Sequence, residues 1–345
     1  MSKPPVEVPQ GAIRFNTDSQ KMEFFAQDQW WEMDTNFPTL GNATNSPDAS
    51  GGARGLFCGG YTPGATNRID YVTIPTAGNA IDFGDLSHSD NNTKSATASS
   101  TRAVAFGGGT EPNAQTNAID YFDIAITGKT ASSFGNLDTA KRGTTSLASA
   151  TRAVCCGGRT PTVQAVMEYI TIASTGNSED FGDITVRNTN CTSMTSAASP
   201  TRGLLTGGVG SPTATEISFI TIASTGNDQD FGDLNIGSNG RQACSNSIRL
   251  VQKIRENTTM ESVQFATKGD SVSFGESENG WYGMAASSPI RGVFAGFSKS
   301  PSQSTFLADI NYISMQSGGD VVDFGDLSQT RAQREGGCSN AHGGL

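Results

Sequence analysis

Apolar and polar positions along this chain fall into short runs of strand length, and almost nowhere into the 3.6-residue period of an amphipathic helix. From residue 54 onward the runs recur in a fixed order. An Arg opens an apolar strand ending in glycines, as in Ala103-Val-Ala-Phe106. An aromatic and β-branched strand follows, Ile119 to Ile126. A third strand surrounds a Phe-Gly turn at Phe134, and a fourth, Thr144 to Ser149, is built of small residues. The opening arginines are Arg54, Arg102, Arg152, Arg202, Arg249 and Arg291, separated by 48, 50, 50, 47 and 42 residues. The recurrent phenylalanines are Phe83, Phe134, Phe181, Phe231, Phe274 and Phe324, separated by 51, 47, 50, 43 and 50. Both markers give six copies. Between them a Tyr or its substitute (Tyr71, Tyr121, Tyr169, Phe219, Ser262, Tyr312) stands seven residues before a Gly. That spacing predicts a hairpin with the Gly at its turn.

Four short strands repeated every 40–50 residues are the signature of a propeller blade, which buries its faces only against neighbouring blades. The first copy lacks a preceding small-residue strand, and the run Glu335-Gly-Gly-Cys-Ser-Asn-Ala-His342 resembles the missing one. The predicted fold is therefore all-β: a six-bladed β-propeller over residues 54–345, closed by its N- and C-terminal strands. The apolar strand, the glycine pairs (Gly59-Gly60, Gly107-Gly108, Gly157-Gly158, Gly207-Gly208) and the spaced aromatics resemble the kelch family, with Phe where that family's tryptophan is expected. The fifth copy departs from the pattern, having Leu250-Val-Gln-Lys-Ile254 and Ser262.

Ahead of the repeats, residues 1–34 read as a small β module and residues 35–53, rich in Pro, Gly, Asn and Ser, as a linker. The module holds three short apolar runs: Gly11 to Thr17, Lys21 to Phe25 and Trp30 to Met33. Its Gly11, Ile13, Arg14, Phe15, Asn16, Thr17, Glu23, Phe25 and Trp30 resemble a module of bacteriophage tail fibres and other virion proteins, often homotrimeric. About thirty residues cannot build a sufficient core alone. Phe15, Phe24, Phe25, Trp30 and Trp31 are thus candidate contacts with other subunits or a virion protein, or with the chain's own propeller. The repeated "Thr-Ile-Ala-Ser-Thr-Gly-Asn … Asp-Phe-Gly-Asp" resembles structural proteins of marine and cyanobacterial phages.

Charge narrows the partners. Charged residues make up 16% of the chain and the net charge is −10, with no basic run, which argues against nucleic acid or an anionic membrane. No apolar stretch approaches a membrane span, and the opening residues lack a signal-peptide apolar region. The six cysteines show no metal or disulfide spacing and read as reduced packing residues. Two histidines, His88 and His342, are too few for a copper or zinc propeller site. Asp-Phe-Gly recurs without a kinase's phosphate loop or catalytic loop, so it reads as an architectural turn. Calcium at these turns is the competing reading. No catalytic residue, cofactor or metal ligand is expected.

The repeated Arg is expected to pair with an acidic group of an adjacent turn. Polar loops after the glycine pairs (Tyr61 to Arg68, Thr110 to Asn117, Arg159 to Ala165, Val209 to Thr215) differ in every copy and share one rim with Lys253 to Thr259 and Ser298 to Phe306. These features and resemblances imply a non-enzymatic phage tail or fibre protein, a homo-oligomer (a trimer favoured) made in the host cytoplasm. Its propeller would contact a host-surface glycan or protein. A purely structural capsid-decoration or tail component, and a bacterial carbohydrate-binding propeller, are the alternatives.

Overall fold

The computed structural model describes residues 9, 11–16, 21–26, 29–32 and 53–345, except 63, 89–93, 111–113, 188–190, 210–213, 238–241, 300–304 and 333–335. The chain divides into two compact units, Met1–Ala43 and Thr44–Leu345. Of the expected linker, only Ala53 lies among the described residues.

In the first unit, strands Ile13–Asn16, Lys21–Ala26 and Gln29–Glu32 form one antiparallel sheet. Alternation sends its two faces different ways. On one face Arg14 bonds Glu23 at 2.7 Å and lies over the Trp30 ring, which meets Phe25 edge-on. Phe25 and Trp30 are therefore half-buried within the sheet rather than freely presented. The other face carries Ile13, Phe15 and Phe24, which are 59%, 56% and 36% exposed. The Trp31 side chain lies outside the described residues.

Among the described residues of the second unit there is no helix, and six antiparallel sheets of four principal strands succeed one another. From inner to outer strand, the second sheet runs Ser95–Ala98, Arg102–Phe106, Ala118–Asp123 and Ser132–Asn136. The next four sheets repeat that order, starting at Thr145–Ala148, Thr195–Ala198, Gln242–Ser245 and Met284–Ser287. The first sheet takes its inner strand, Gly337–Ser339, from the far end of the sequence, paired with Gly55–Phe57. The arrangement is propeller-like. Its core consists of six separate apolar clusters, each sandwiched between two consecutive sheets, with the sixth and first sharing one around Phe57, Val293 and Phe324.

The recurrent Phe is not at a turn. In every sheet it sits inside the outer strand as the extra residue of a β-bulge: Ile69 pairs with Gly84 and Asp70 with Asp82, leaving Phe83 unpaired. The same shift recurs at Phe134, Phe181, Phe231, Phe274 and Phe324. A bulge frees a carbonyl, and the neighbouring sheet uses it. The Gly128 N–H donates to Phe83 O at 2.6 Å, and Gly176, Gly226, Gly269, Gly319 and Gly78 do the same to Phe134, Phe181, Phe231, Phe274 and Phe324. The glycine expected at a hairpin turn therefore lies instead along the outer edge of the preceding sheet. Close approach explains the glycine of the bulged strand: a Cβ on Gly182 would come within 2.6 Å of the Gly226 carbonyl, whereas Gly226 itself has open space around it and a φ of +152°. The residue after the loop glycine completes the seam, as where Asn227 Oδ1 accepts the Asp183 N–H at 2.9 Å.

The repeated Arg also finds a partner other than the predicted acid. Arg54, Arg102, Arg152 and Arg202 donate Nη1 to the carbonyls of Ile124, Ile172, Ile222 and Phe265, each in the following sheet. Arg291 reaches Ile74 and Pro75 of the first sheet. Each of these guanidiniums lies 4.3–5.0 Å over the aromatic ring of its own third strand, Tyr71, Tyr121, Tyr169, Phe219 or Tyr312. That ring in turn meets the bulge Phe edge-on. A carbonyl suits the fork because its charge is only partly buried, so a neutral acceptor satisfies it without desolvating a carboxylate. Arg249 is the exception. Ser262 stands where its ring would be, and its Nε is buried without a partner.

Candidate binding surface

The loops joining second to third strands, and outer strands to the next inner strand, share one end of the sheets. Buried ion pairs anchor them. The third residue of the third strand is acidic in the first, second, third and fifth sheets, as Asp70, Asp120, Glu168 and Glu261, all buried. Asp120 holds Lys94 at 2.7 Å, Glu168 holds Lys141 at 2.6 Å, and Asp70 holds Arg331 at 3.3 Å. Each cation arrives on the loop entering that sheet. Burial would raise the Glu168 carboxyl, but the Lys141 charge, with hydrogen bonds from Lys141, Ser178 and the Asp138 amide, holds it below its ordinary value. In the fourth sheet Ser218 replaces the acid, and Arg187, fully buried, donates to the carbonyls of Leu205 and Glu216. Burial lowers the Arg187 guanidinium to about 10. The acid–cation pairing foreseen for the repeated Arg is thus made by other cations.

Above this anchored layer the variable loops build short ladders. Tyr61–Thr62 pairs with Gly64–Ala65, Gly109–Thr110 with Ala114–Gln115, and Arg159–Thr160 with Thr162–Val163. Aromatic residues are confined to the loops of the fifth, sixth and first sheets: Trp281, Tyr282, Phe297, Phe306 and Tyr61. Trp281 bridges to Ser298, and Ser298 to Phe306, so their side chains share one face. Phe306 meets Tyr61 at 5.8 Å, and the Arg255 guanidinium stacks 3.8 Å over Trp281. Trp281, Phe306 and Tyr61 are each half-exposed. The strip this makes runs across the boundary between the sixth and first sheets.

At its fifth-sheet end lies Lys253, where the glycine pair is missing. It is 2% exposed, 3.6 Å over the Phe297 ring, and burial pushes its amine down to about 8 against the raising effect of Glu278 and Asp309. The expectation that Lys253 opens an exposed loop is therefore corrected: it ends a buried strand, and the exposed segment starts at Arg255. Among the described residues no group of three or more His, Cys, Asp or Glu is placed to hold a metal ion. The six thiols are free and buried.

No known family matches the chain, and no curated protein does. In fold the chain is similar to a solved structure titled "Structure of YjhT". The TM-score is 0.56 at 11% identity, over 70% of this chain and 86% of that one. At that identity the likeness concerns the fold alone. Arg and Phe were legible as repeat markers; the strip was not, because its members come from three separate loops and are aligned only by strand bridges and a ring contact in the fold.

Proposed function

We propose that this is a bacteriophage tail or fibre protein whose second unit is a six-bladed, kelch-like propeller displayed for host-surface recognition by binding rather than catalysis. One observation carries the recognition role. Every other part of the repeat is spent on architecture, while the rim loops vary and gather half-exposed aromatics into one strip. Aromatic rings in polar surroundings are the anchors that recognition surfaces favour, since they bury large area at little entropic cost. The repeat's acids support the non-enzymatic reading, since Asp70, Asp120 and Glu168 are each tied to a buried cation. The exposed face of Ile13, Phe15 and Phe24 favours assembly through the first unit, with avidity of ~10²–10⁴ over single contacts.

The test is whole-cell binding of labelled protein carrying Tyr61→Ala, Trp281→Ala and Phe306→Ala together, on a host that the parent protein binds. Loss of binding with an unchanged Tm supports recognition by the strip. Unchanged binding sinks it and favours the purely structural alternative.

A further inference from the structure

The inner strands of all six sheets line a narrow central channel whose walls are mostly Ala and Ser. After Gly337–Ser339 the chain does not leave this channel; residues 340–345 cross its end. Asn340 Oδ1 accepts the Arg54 N–H at 2.8 Å, in the first sheet. His342 Nε2 meets the Ala98 carbonyl at 2.6 Å, in the second. Gly344 lies against the carbonyl of Ala148 in the third, and Gly343 against that of Ala198 in the fourth, so tightly that neither glycine has room for a Cβ. The Gly343 N–H donates to Ser245 O at 3.0 Å, in the fifth. Six residues therefore touch five sheets.

His342 is the hinge of this arrangement. Its Nε2 donates to Ala98 while its Nδ1 accepts the Gly344 N–H at 3.0 Å, a pattern that only the neutral ring satisfies. Besides His342, the titratable groups lining the channel are the thiols of Cys244 and Cys338. Among the described residues that line the channel there is no Asp or Glu side chain to receive a charge. We propose that residues 340–345 are an acid-released plug: a proton taken from solvent by His342 Nδ1 expels the Gly344 N–H and frees the segment from the channel.

Burial lowers the His342 pKa below its ordinary value, which agrees with a seat built for the neutral ring. The sign follows. The plug's stability is complete above the ordinary histidine value, about 6.5. It is then lost as pH falls from there toward the depressed folded value, by at most about tenfold in closure per pH unit.

Hydrogen exchange of the Gly343 and Gly344 amides in the full chain, corrected for intrinsic rates, measures the closure directly. Between pH 7.5 and 5.5 protection is expected to fall by several-fold to tenfold, while the Val154 and Leu204 amides keep theirs. His342→Gln, whose amide can donate and accept without titrating, should abolish the pH dependence. Protection that does not change with pH, or falls equally in His342→Gln, overturns the proposal; so does a parallel loss at Val154 and Leu204, which would mean global unfolding. If the variant does not fold, the ring titration of His342 decides. A value below the ordinary histidine one, about 6.5, supports the plug, and an ordinary one refutes it.

Discussion

Replacing Arg152 by Ala tests whether the recurrent Arg is a latch between sheets. The side chain donates to Ile222 O at 3.0 Å and lies 4.3 Å over the Tyr169 ring. A hydrogen bond from a charged donor contributes roughly 1.5–3 kcal/mol, and a partly exposed cation–π contact about 0.5–1 kcal/mol. Solvent reaches the half-buried guanidinium, so the lower ends apply and the loss is about 2 kcal/mol. For a unit of about 290 residues, unfolding entropy near 2.1 cal/mol/K per residue converts this to a Tm drop of about 3 °C. Differential scanning calorimetry reads it. Arg249→Ala is the control, because Arg249 has no ring beneath it and a buried Nε without a partner. Its removal should shift Tm by less than about 1 °C. Equal shifts for the two variants would refute the latch and make the Arg a mere strand-opening residue.

The same comparison predicts that Ser262→Tyr, which supplies the ring missing under Arg249 and opposite Phe274, stabilises the fold by about 1 kcal/mol in a calorimetric scan. Lys141→Met leaves the buried Glu168 carboxylate without its cation and should cost about 3–5 kcal/mol at neutral pH by urea denaturation. Because Glu168 is depressed in the folded state, the pair's contribution is present above the ordinary carboxylate value and lost as pH falls through the folded one. The gap between wild type and variant should therefore narrow in acid.

The repeat was legible because its markers have fixed jobs at fixed positions. Arg152 must sit at the strand mouth to reach Ile222, and Phe181 must sit at the bulge to fill the space between two sheets. What each marker touches was not legible, since partners lie some 70 residues away in the next copy, as with Arg152 and Ile222. The buried cations escaped notice for another reason. Lys94, Lys141, Arg187 and Arg331 stand eight, four, three and four residues after Leu86, Leu137, Ile184 and Leu327, so loop length hides their common role. The run ending at His342 was readable as a strand by its small residues, but nothing in the composition of Asn340 to Leu345 announces a segment crossing a channel.

The placement of Gly337–Ser339 has a consequence for how the chain acquires its fold. The first sheet of the second unit waits for a strand made some 280 residues later, and Arg291, Gly78 and Ser328 make contacts spanning 217, 246 and 258 residues. Contacts of that separation are formed slowly, because the closure entropy of the intervening chain precedes any reward. A nascent chain therefore carries an unfinished sheet with a bare edge through most of translation. Its yield will depend on how well that edge is shielded until the last strand emerges.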